Sequence, residues 1–497
     1  MPTISRSVAL QPSRSGLTVA SLRSGLLLAG LLVGFGASCG TAGSSFDPNQ
    51  PGNMSTVSQP TLVLITPDVG PLAGGTAITL SGTDFREGAQ VRFGGNLAQN
   101  VTVKSSVEIH VTLPAGQGAV GPVEVTVDNP DGGHAASNSL FSYARSVVQF
   151  APAMVRSVGR SPIAIAAEDV NGDGGKELLV ANNIDGTLSV LLHNLDFNQS
   201  GGPYATPALP NALAIGDVNG DGRRDVVLGC GNASSQDVAV LRGMGNGAFM
   251  SSDNFAVGGT VSGVAVKDFD GDSKPDVVAT VRSANKVVVL TNNGVTPAVS
   301  FAPTQTSYSV LGEPAALMLA DLNSDGRDDI VLSQYAQQQV GVLLSPSAPG
   351  PLITPIKTAS VGLRPIALAA AELTGDGRVD VVAANFDGNS LSLLSGQNDG
   401  TFASVSTLNV GEKPTSVATA DINGDGKLDL VVANSGRNQI WTLLGRGDGS
   451  FDPAQKLITG TQPWAMVVTN LDSDNKPDIA VTNLADHTVS IFLNRTQ

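Results

Sequence analysis

Short runs of apolar residues, separated by Gly, Pro, Asn and Asp, recur along most of this chain. In residues 61–143 apolar and polar positions alternate, as in Ala77-Ile78-Thr79-Leu80. From Val147 onward the pattern repeats about every fifty residues, and each full period has four runs. In one period these runs are Thr415 to Ala420, Leu428 to Asn434, Gln439 to Leu444 and Phe451 to Ile458. Runs of this length that end at turn residues predict β-strands, so we expect an all-β protein.

A nine-residue stretch lies between the first and second apolar runs of every period. Its clearest copy is Asp421-Ile422-Asn423-Gly424-Asp425-Gly426-Lys427-Leu428-Asp429, with oxygen-bearing side chains at positions 1, 3, 5 and 9 and Gly at position 6. Ca2+ takes about six to eight oxygen ligands, so such a loop nearly fills its coordination shell. Seven copies, 48 to 53 residues apart, begin at Asp169, Asp217, Asp268, Asp321, Glu372, Asp421 and Asn470. This spacing indicates a repeat array such as a propeller.

The seven copies differ in how complete their ligand sets are. Four have acid or Asn at all four positions and Gly at position 6: Asp169, Asn171, Asp173 and Glu177; Asp217, Asn219, Asp221 and Asp225; Asp321, Asn323, Asp325 and Asp329; Asp421, Asn423, Asp425 and Asp429. The third has Asp268, Asp270, Asp272 and Asp276 with Ser273 at position 6, and the seventh has Asn470, Asp472, Asp474 and Asp478 with Asn475 there. The fifth offers Asp376 and Asp380 beside Glu372 and Thr374, and we expect it to bind most weakly.

We therefore predict several structural Ca2+ sites, with calcium as the only cofactor. The alternative is seven metal-free turns, because Asp, Asn and Gly favour turns on their own account. Acids in the same register seven times favour metal, because unpaired carboxylates so close together would repel one another.

The two ends of the repeat array complement each other. The last period stops after its third apolar run, Val489 to Leu493, whereas the array opens with Phe150-Ala151-Pro152-Ala153-Met154, which matches the fourth run of other periods. A strand from residues 147–157 would complete the last sheet and close a ring without free sheet edges. We predict a seven-bladed β-propeller over residues 147–497, preceded by an immunoglobulin-like β-sandwich over residues 61–143.

Both units resemble known families. The repeat Asp-x-Asn-Gly-Asp-Gly-x-x-Asp, followed by an apolar run ending in Ala-Asn, resembles the FG-GAP/VCBS repeats of integrin α-like propellers. The turns Gly82-Thr83-Asp84-Phe85 and Asn129-Pro130-Asp131-Gly132-Gly133 resemble the IPT/TIG immunoglobulin-like family. The first resemblance implies a propeller whose loops bind calcium, and the second implies an extracellular spacer or a part of a binding protein. Neither implies one fixed function.

Residues 1–39 have the features of an export signal. Arg6, Arg14 and Arg23 precede the apolar run Leu26 to Phe35, and no acidic residue occurs in this segment. Ten apolar residues are too few for a membrane-spanning helix and are typical of a secretion signal.

The end of this segment, Gly36-Ala37-Ser38-Cys39-Gly40, resembles a bacterial lipoprotein signal. The resemblance implies that Cys39 is lipidated and that, in a Gram-negative cell, Gly40 directs the protein to the outer membrane. The alternative is ordinary signal cleavage beside an incidental cysteine. Residues 40–60, rich in Ser, Gly, Pro, Asn and Gln, predict a flexible linker.

Composition narrows the function classes. The net charge is −15 and no Lys/Arg cluster with interleaved aromatic residues occurs, which argues against nucleic acid as a partner. The histidines His110, His134, His193 and His487 lack metal-ligand spacing, and there is no nucleophile elbow or phosphate loop. We therefore predict that the protein is not an enzyme. Cys230 ends an apolar run, where we expect a buried and inert thiol.

Candidate ligand-binding residues fall at the end of the propeller opposite the acidic loops. Arg160, Arg364, Lys413 and Trp464 lie in the blade-to-blade connections or just after them, and such basic and aromatic groups can hold an acidic or sugar ligand. The alternative is a solvated rim with Trp464 packed between blades. We expect Trp441, which stands where two other repeats have Ser189 and Ser392, to be packing. We expect turns at Asn182, Asn385, Asn434 and Asn483.

These features together predict an exported, monomeric protein of the cell envelope or cell surface, held to the membrane only by a lipid anchor. Its calcium-stabilised propeller would bind a glycan or an extracellular protein in adhesion or recognition. Two alternatives remain, a polysaccharide hydrolase or lyase and an envelope scaffold.

Overall fold

The computed structural model describes residues 59–496 except for 119, 194–196, 198–201, 208, 232–236, 303–304 and 347–351. The predicted export signal with Cys39, and nearly all of the predicted linker, lie outside the described residues. In the described residues, the regular structure consists of strands, numbered β1 to β39 in chain order, and a single 3-10 turn at Arg282–Ala284. In the part of the chain that is described, no helix has the length and apolar character needed to cross a membrane.

Strands β1 to β11 form the sandwich in three sheets, ordered β1-β3-β7-β6, β10-β9-β4-β5 and β2-β11-β8. In its core, the ring centroid of Phe141 lies 4.9 Å from that of Phe93 and 5.4 Å from that of Tyr143, edge to face. The bounds are β1 Thr61–Thr66, β2 Val69–Pro71, β3 Ala77–Thr83, β4 Gln90–Phe93, β5 Asn96–Leu97, β6 Gln99–Ser105, β7 Glu108–Thr112, β8 Gly121–Pro122, β9 Val125–Asp128, β10 His134–Ser137 and β11 Ser142–Ala144.

From Met154 onward the described residues form seven four-stranded antiparallel sheets, here called blades 1 to 7. Blade 1 has β13 Pro162–Glu168, β14 Glu177–Asn182, β15 Thr187–Leu191 and β16 Tyr204–Ala205. Blade 2 has β17 Pro210–Gly216, β18 Asp225–Cys230, β19 Val238–Leu241 and β20 Asp253–Phe255. Blade 3 has β21 Val261–Lys267, β22 Asp276–Val281, β23 Lys286–Leu290 and β24 Thr306–Ser309. Blade 4 has β25 Pro314–Ala320, β26 Asp329–Gln334, β27 Gln339–Leu344 and β28 Ile353–Ser360.

The remaining blades continue the same order. Blade 5 has β29 Pro365–Ala371, β30 Asp380–Asn385, β31 Ser390–Gly396 and β32 Phe402–Asn409. Blade 6 has β33 Pro414–Ala420, β34 Asp429–Asn434, β35 Gln439–Leu443 and β36 Gln455–Ile458. Blade 7 has β37 Pro463–Thr469, β38 Asp478–Asn483, β39 Thr488–Phe492 and, from the beginning of the array, β12 Met154–Ser157.

Burial within each blade explains where the core lies. The second strand of every blade is buried along its whole length, whereas fourth strands such as β32 and β28 are largely exposed. A strand that is buried on both faces has a continuous run of apolar residues, and these second strands have such runs of Val, Leu and Ala. The apolar side chains therefore pack between neighbouring blades.

The blades form a closed ring. The first strand of each blade contacts that of the next, from β13 through β17, β21, β25, β29, β33 and β37 back to β13. In blade 7, β12 pairs with β39 so that Met154 lies opposite Ile491, and Phe150 bridges to Asn494. These contacts give the last sheet four strands, as in the other blades. The predicted all-β fold, an immunoglobulin-like sandwich followed by a β-propeller, is confirmed.

The sandwich lies against blade 6. Lys456 forms an ion pair with Asp68 of the sandwich, and the backbone N–H of Arg145 donates to Asp452 Oδ2 at 3.2 Å. Polar contacts with blade 6 therefore hold both the sandwich and the segment that connects it to the propeller.

The prediction of turns at Asn182, Asn385, Asn434 and Asn483 was wrong. Each is the fully buried last residue of a second strand. In blades 1, 5 and 7 the Asn Nδ2 donates to a third-strand serine, Ser189, Ser392 or Ser490, at 2.8–3.0 Å. Trp441 occupies this serine position in blade 6, and Asn434 Nδ2 donates to the Val432 carbonyl instead, at 3.3 Å. The Nδ2 of each amide therefore has an acceptor, whereas its Oδ1 is buried without a hydrogen-bond partner.

Candidate functional site

The seven acidic loops all lie at one end of the propeller, between the first and second strands of each blade. Position 9 is the first residue of the second strand, as with Asp429 of β34. Positions 4 and 6 have a left-handed backbone in all seven loops, and in blade 7 these residues are Ser473 and Asn475, each with φ of 65°. The sequence identified position 6 through its glycines but missed the same requirement at position 4.

The acid at position 9 is fully buried in every blade. Asp429 Oδ2 accepts the backbone N–H of Ile422 at 2.8 Å, and its Oδ1 accepts that of Gly445, just beyond the third strand, at 2.7 Å. The equivalent two bonds recur in the other six blades. This side chain therefore holds the loop against the rest of its own blade.

Burial also changes the acidity of these groups. It raises the pKa of Asp225, Asp329, Asp429 and Asp478 to about 6, and it raises the pKa of Asp276 and Glu177 as well. Loss of hydration disfavours the charged carboxylate, and a nearby cation would favour it.

In the first six loops, the outer positions curl around the acid at position 1. Asp421 Oδ1 accepts the N–H groups of Gly424 and Asp425 at 2.8 and 3.0 Å, and its Oδ2 accepts that of Gly426 at 2.8 Å. Asn423 Oδ1 accepts the N–H of Asp425 at 3.1 Å. Asp421 Oδ2 and Asn423 Oδ1 each accept one such bond and keep a second lone pair. The arrangement gathers hard oxygen donors in a small volume, as Ca2+ requires.

The acids come closest together in the third and seventh loops. Carboxylate oxygens of Asp268, Asp270 and Asp276 lie within 4.8 Å of one another, and so do those of Asp472, Asp474 and Asp478. In the fifth loop Glu372 Oε1 takes over the role of Asp, accepting the N–H groups of Gly375 and Asp376. Thr374 Oγ1 of that loop is buried without a hydrogen-bond partner. These donor sets fit a divalent cation.

At the opposite end, three aromatic rings belong to one core cluster with cations beside them. Tyr335, Phe386 and Trp464 are only 7–8% exposed, and the ring centroids of Phe386 and Trp464 lie 6.2 Å apart. Arg282 and Arg364 lie 4.7 and 5.3 Å from the Tyr335 ring centroid, and Lys413 Nζ lies 5.7 Å from that of Phe386. We call these six residues the aromatic cluster.

The structure thus brings three of the four candidate ligand residues, Arg364, Lys413 and Trp464, into one cluster. Arg160 instead donates to Asp185, from its backbone N at 2.6 Å and from Nε at 2.5 Å. Arg282 was missed, because it lies in the 3-10 turn after β22 and no repeat position marks it. The Trp464 ring is packed in the core, and its Nε1 is buried without a hydrogen-bond partner.

Comparison with known families agrees with this architecture. The family model described as FG-GAP-like repeat matches residues 169–228, 217–279, 268–332, 373–432 and 421–481, together more than half of the chain. The chain belongs to the FG-GAP-like repeat family. In this FG-GAP protein every match spans consecutive blades, and each of the seven acidic loops falls at least partly inside a matched region. An IPT/TIG domain model matches residues 60–143.

Solved structures similar to this FG-GAP protein are distant. An auxiliary nutrient binding protein from Bacteroides thetaiotaomicron is 11% identical, with 90% of this chain and 99% of that chain covered and a TM-score of 0.43. A putative phosphatase from the same organism is 12% identical, with 88% and 98% covered and a TM-score of 0.45. A putative 6-phosphogluconolactonase from Bacteroides uniformis is 15% identical, with 67% and 89% covered and a TM-score of 0.43. No curated protein matches the chain.

Proposed function

We propose that this FG-GAP protein is an exported, monomeric binding protein of the cell envelope, stabilised by calcium, that recognises a glycan or an extracellular protein. The observation that carries the proposal is the aromatic cluster. Lys413 is exposed and half of the Arg364 side chain is exposed, while the rings beneath them are packed in the core. Cations held over aromatic rings at the mouth of a rigid ring of blades suit an acidic or sugar ligand.

Calcium is proposed for the opposite end. The ligands would be the side chains at positions 1, 3, 5 and 9 of the loops, and the ion would supply positive charge beside carboxylates that burial makes weaker acids. Its role would be structural.

The test of calcium is thermal unfolding with calcium and with excess chelator. A site at a free calcium concentration of 100 times its Kd contributes about 2.7 kcal/mol, so we expect a lower unfolding temperature in chelator. Equal unfolding temperatures would contradict the proposal, and magnesium at the same concentration controls for ionic strength.

Export and lipid anchoring rest on the sequence around Cys39. If Cys39 is lipidated, the mature chain begins at this residue with an added acyl mass, and Cys39→Ser releases the protein from the membrane fraction. Mass spectrometry of the mature amino terminus checks this, and an unmodified terminus at another residue would contradict it.

Binding is favoured over polysaccharide hydrolysis because the acids at the ligand end are engaged. Asp387 pairs with Arg364 at 2.7 Å, Glu313 with Arg282 at 2.9 Å, and Asp185 with Arg160 at 2.5 Å. General acid–base chemistry needs a carboxyl group that is free to exchange its proton.

A glycan-array screen of the chain from Thr61 onward tests recognition. We expect binding that is lost in the double variant Arg364→Ala, Lys413→Ala and kept in Arg437→Ala. Arg437 is a suitable control because it lies at the same end and pairs with Glu412. Binding that survives the double variant would move the ligand elsewhere, and binding to no glycan would leave an extracellular protein as the ligand, to be sought with the same variants.

A further inference from the structure

The seventh acidic loop lacks the carboxylate around which the other loops are folded. Position 1 is Asn470, whose Oδ1 is buried without a hydrogen-bond partner, whereas Asp421 accepts three backbone N–H groups in blade 6. Asp472 Oδ1 is also buried and unpartnered. The loop nevertheless gathers the carboxylates of Asp472, Asp474 and Asp478 within 4.8 Å of one another. Carboxylates this close repel one another, and a positive charge beside them relieves the repulsion.

Arg495 supplies that charge. Its Nη1 lies 2.6 Å from Asp472 Oδ2 and 3.4 Å from Asp474 Oδ2. The hydrogen bond with Asp472, together with the charges of the three acids, raises the pKa of Arg495 above its usual value. A guanidinium group that donates to carboxylates forms some of the stronger hydrogen bonds in proteins.

The backbone around Arg495 is fixed by the closure of the ring. The N–H of Arg495 donates to the Gln149 carbonyl at 2.6 Å, in the segment that leads into β12. The preceding Asn494 donates its own N–H to Asp478 Oδ1 at 2.7 Å and its Nδ2 to the Ile422 carbonyl at 2.7 Å. The guanidinium therefore reaches the loop from a position that forms only when the two ends of the array pair.

The equivalent residue of blade 6 behaves differently. Arg446 follows Gly445 as Arg495 follows Asn494, but its Nε pairs with Asp452 at 2.7 Å rather than with the sixth loop. Basic residues do lie in the third and fifth loops. There Lys274 Nζ and Arg378 Nη1 approach a single acid each, Asp272 and Asp376, at 3.7 and 3.6 Å. In the seventh loop, by contrast, Arg495 lies outside the loop and contacts two of its acids.

We propose that Arg495 is the built-in cation of the seventh loop and competes with calcium there, so that the blade closing the ring is held without a bound ion. The inference rests on the proposed function only in taking calcium as the ion that the oxygen donors of such a loop favour. A guanidinium is attached to the chain and needs no free ion, which makes closure of the ring independent of the calcium concentration. Calcium would have to displace it, because the two positive charges repel.

Calcium stoichiometry, measured by equilibrium dialysis, tests this. We expect Arg495→Gln, which removes the charge but keeps most of the side chain, to bind one more calcium ion than the wild-type chain. The unpartnered oxygens of Asn470 and Asp472 are available to the added ion. Arg446→Gln is the matched control and should bind as many ions as wild type. The double variant Asp474→Asn, Arg495→Gln should lose the additional calcium ion, which would assign that ion to the seventh loop.

The possible outcomes separate this inference from the proposed function. If wild type binds calcium and Arg495→Gln binds no more, the inference is overturned and the proposed calcium sites stand. If wild type binds none and the variant binds one ion, the inference stands and calcium at the other loops is overturned. If neither binds, both are overturned. Arg495→Lys, which keeps the charge, covers the case in which Arg495→Gln fails to fold, because it should bind as wild type does, and a gain of an ion by this variant would contradict the inference.

Discussion

The bonds made by the buried acids at the loop end of the propeller differ from those made by the turns at the opposite end. At the loop end, the buried acid of each blade bonds to backbone groups of its own blade, and the same two bonds recur seven times. At the opposite end, side chains bond to the next blade. Asn389 and Asn438 accept the backbone N–H groups of Lys413 and Gln462 at 2.8 and 2.9 Å, and His487 Nδ1 accepts that of Ser161 at 3.2 Å.

This difference separates the parts of the repeat that are fixed from the parts that can vary. A bond within a blade is needed wherever a blade is to fold, so its residue types repeat. A bond between neighbouring blades can be made by Asn or by His, since only the neighbouring blade has to match. The opposite end can therefore carry residues such as Arg364 and Lys413 that differ from blade to blade, and a recognition surface needs such variation.

The largest expected effect is at the aromatic cluster. Trp464→Ala removes a ring that is 7% exposed and packs against Phe386, so we expect the free energy of unfolding to fall by about 3–5 kcal/mol. Trp441 has a half-buried ring, so Trp441→Ala should lower the free energy of unfolding by less than half as much as Trp464→Ala does. Urea denaturation measures both. A Trp464 variant that keeps its stability but loses ligand binding would show that this ring is a binding surface rather than core.

The next largest effect on stability is expected from substitution of the buried acid at the loop end. Asp429→Ala leaves the N–H groups of Ile422 and Gly445 without their acceptor, so we expect a loss of about 2–4 kcal/mol. Denaturation in excess chelator measures this contribution separately from metal binding. The control is Asp425→Ala in the same loop, whose exposed side chain should contribute much less under these conditions. Equal losses would mean that position 9 acts only as a metal ligand.

The sequence predicted the loop end more completely than the opposite end, for a physical reason. All four oxygen positions of a loop lie within nine residues, so their register is visible in one window. The partners of the buried acid are not visible in the sequence. Gly445 contributes only its backbone N–H, and any residue except proline can supply that group. Arg495 acts on Asp472 only through the closed ring, and the Trp464 ring of blade 7 meets the Phe386 ring of blade 5 only because the folded ring brings these two blades together. Contacts of this kind leave no periodic signal.

A smaller effect is expected for one bond between blades. Asn438 has φ of 55° and accepts the N–H of Gln462 at 2.9 Å, so Asn438→Gly keeps the backbone conformation and removes only the bond. We expect a loss of about 1 kcal/mol. Asn438→Asp retains the acceptor and should be close to wild type in urea denaturation. If the Gly and Asp variants were equally destabilised, the bond would not be what holds these blades together.

The smallest effect is at Cys230, which ends the second strand of blade 2 where four other blades have Asn. Burial, with a further contribution from the Asp237 carboxylate, raises the pKa of this thiol to about 12. The thiolate is the reactive form, so at pH 8 this thiol is almost entirely protonated, and the buried sulfur is also shielded from reagents. We expect no labelling of the native chain from Thr61 onward by a thiol reagent at pH 8, and one labelled thiol in denaturant. Native labelling at the denatured rate would show that this end of blade 2 opens readily, and the second strand would then be less firmly held where Cys230 replaces the hydrogen-bonded Asn.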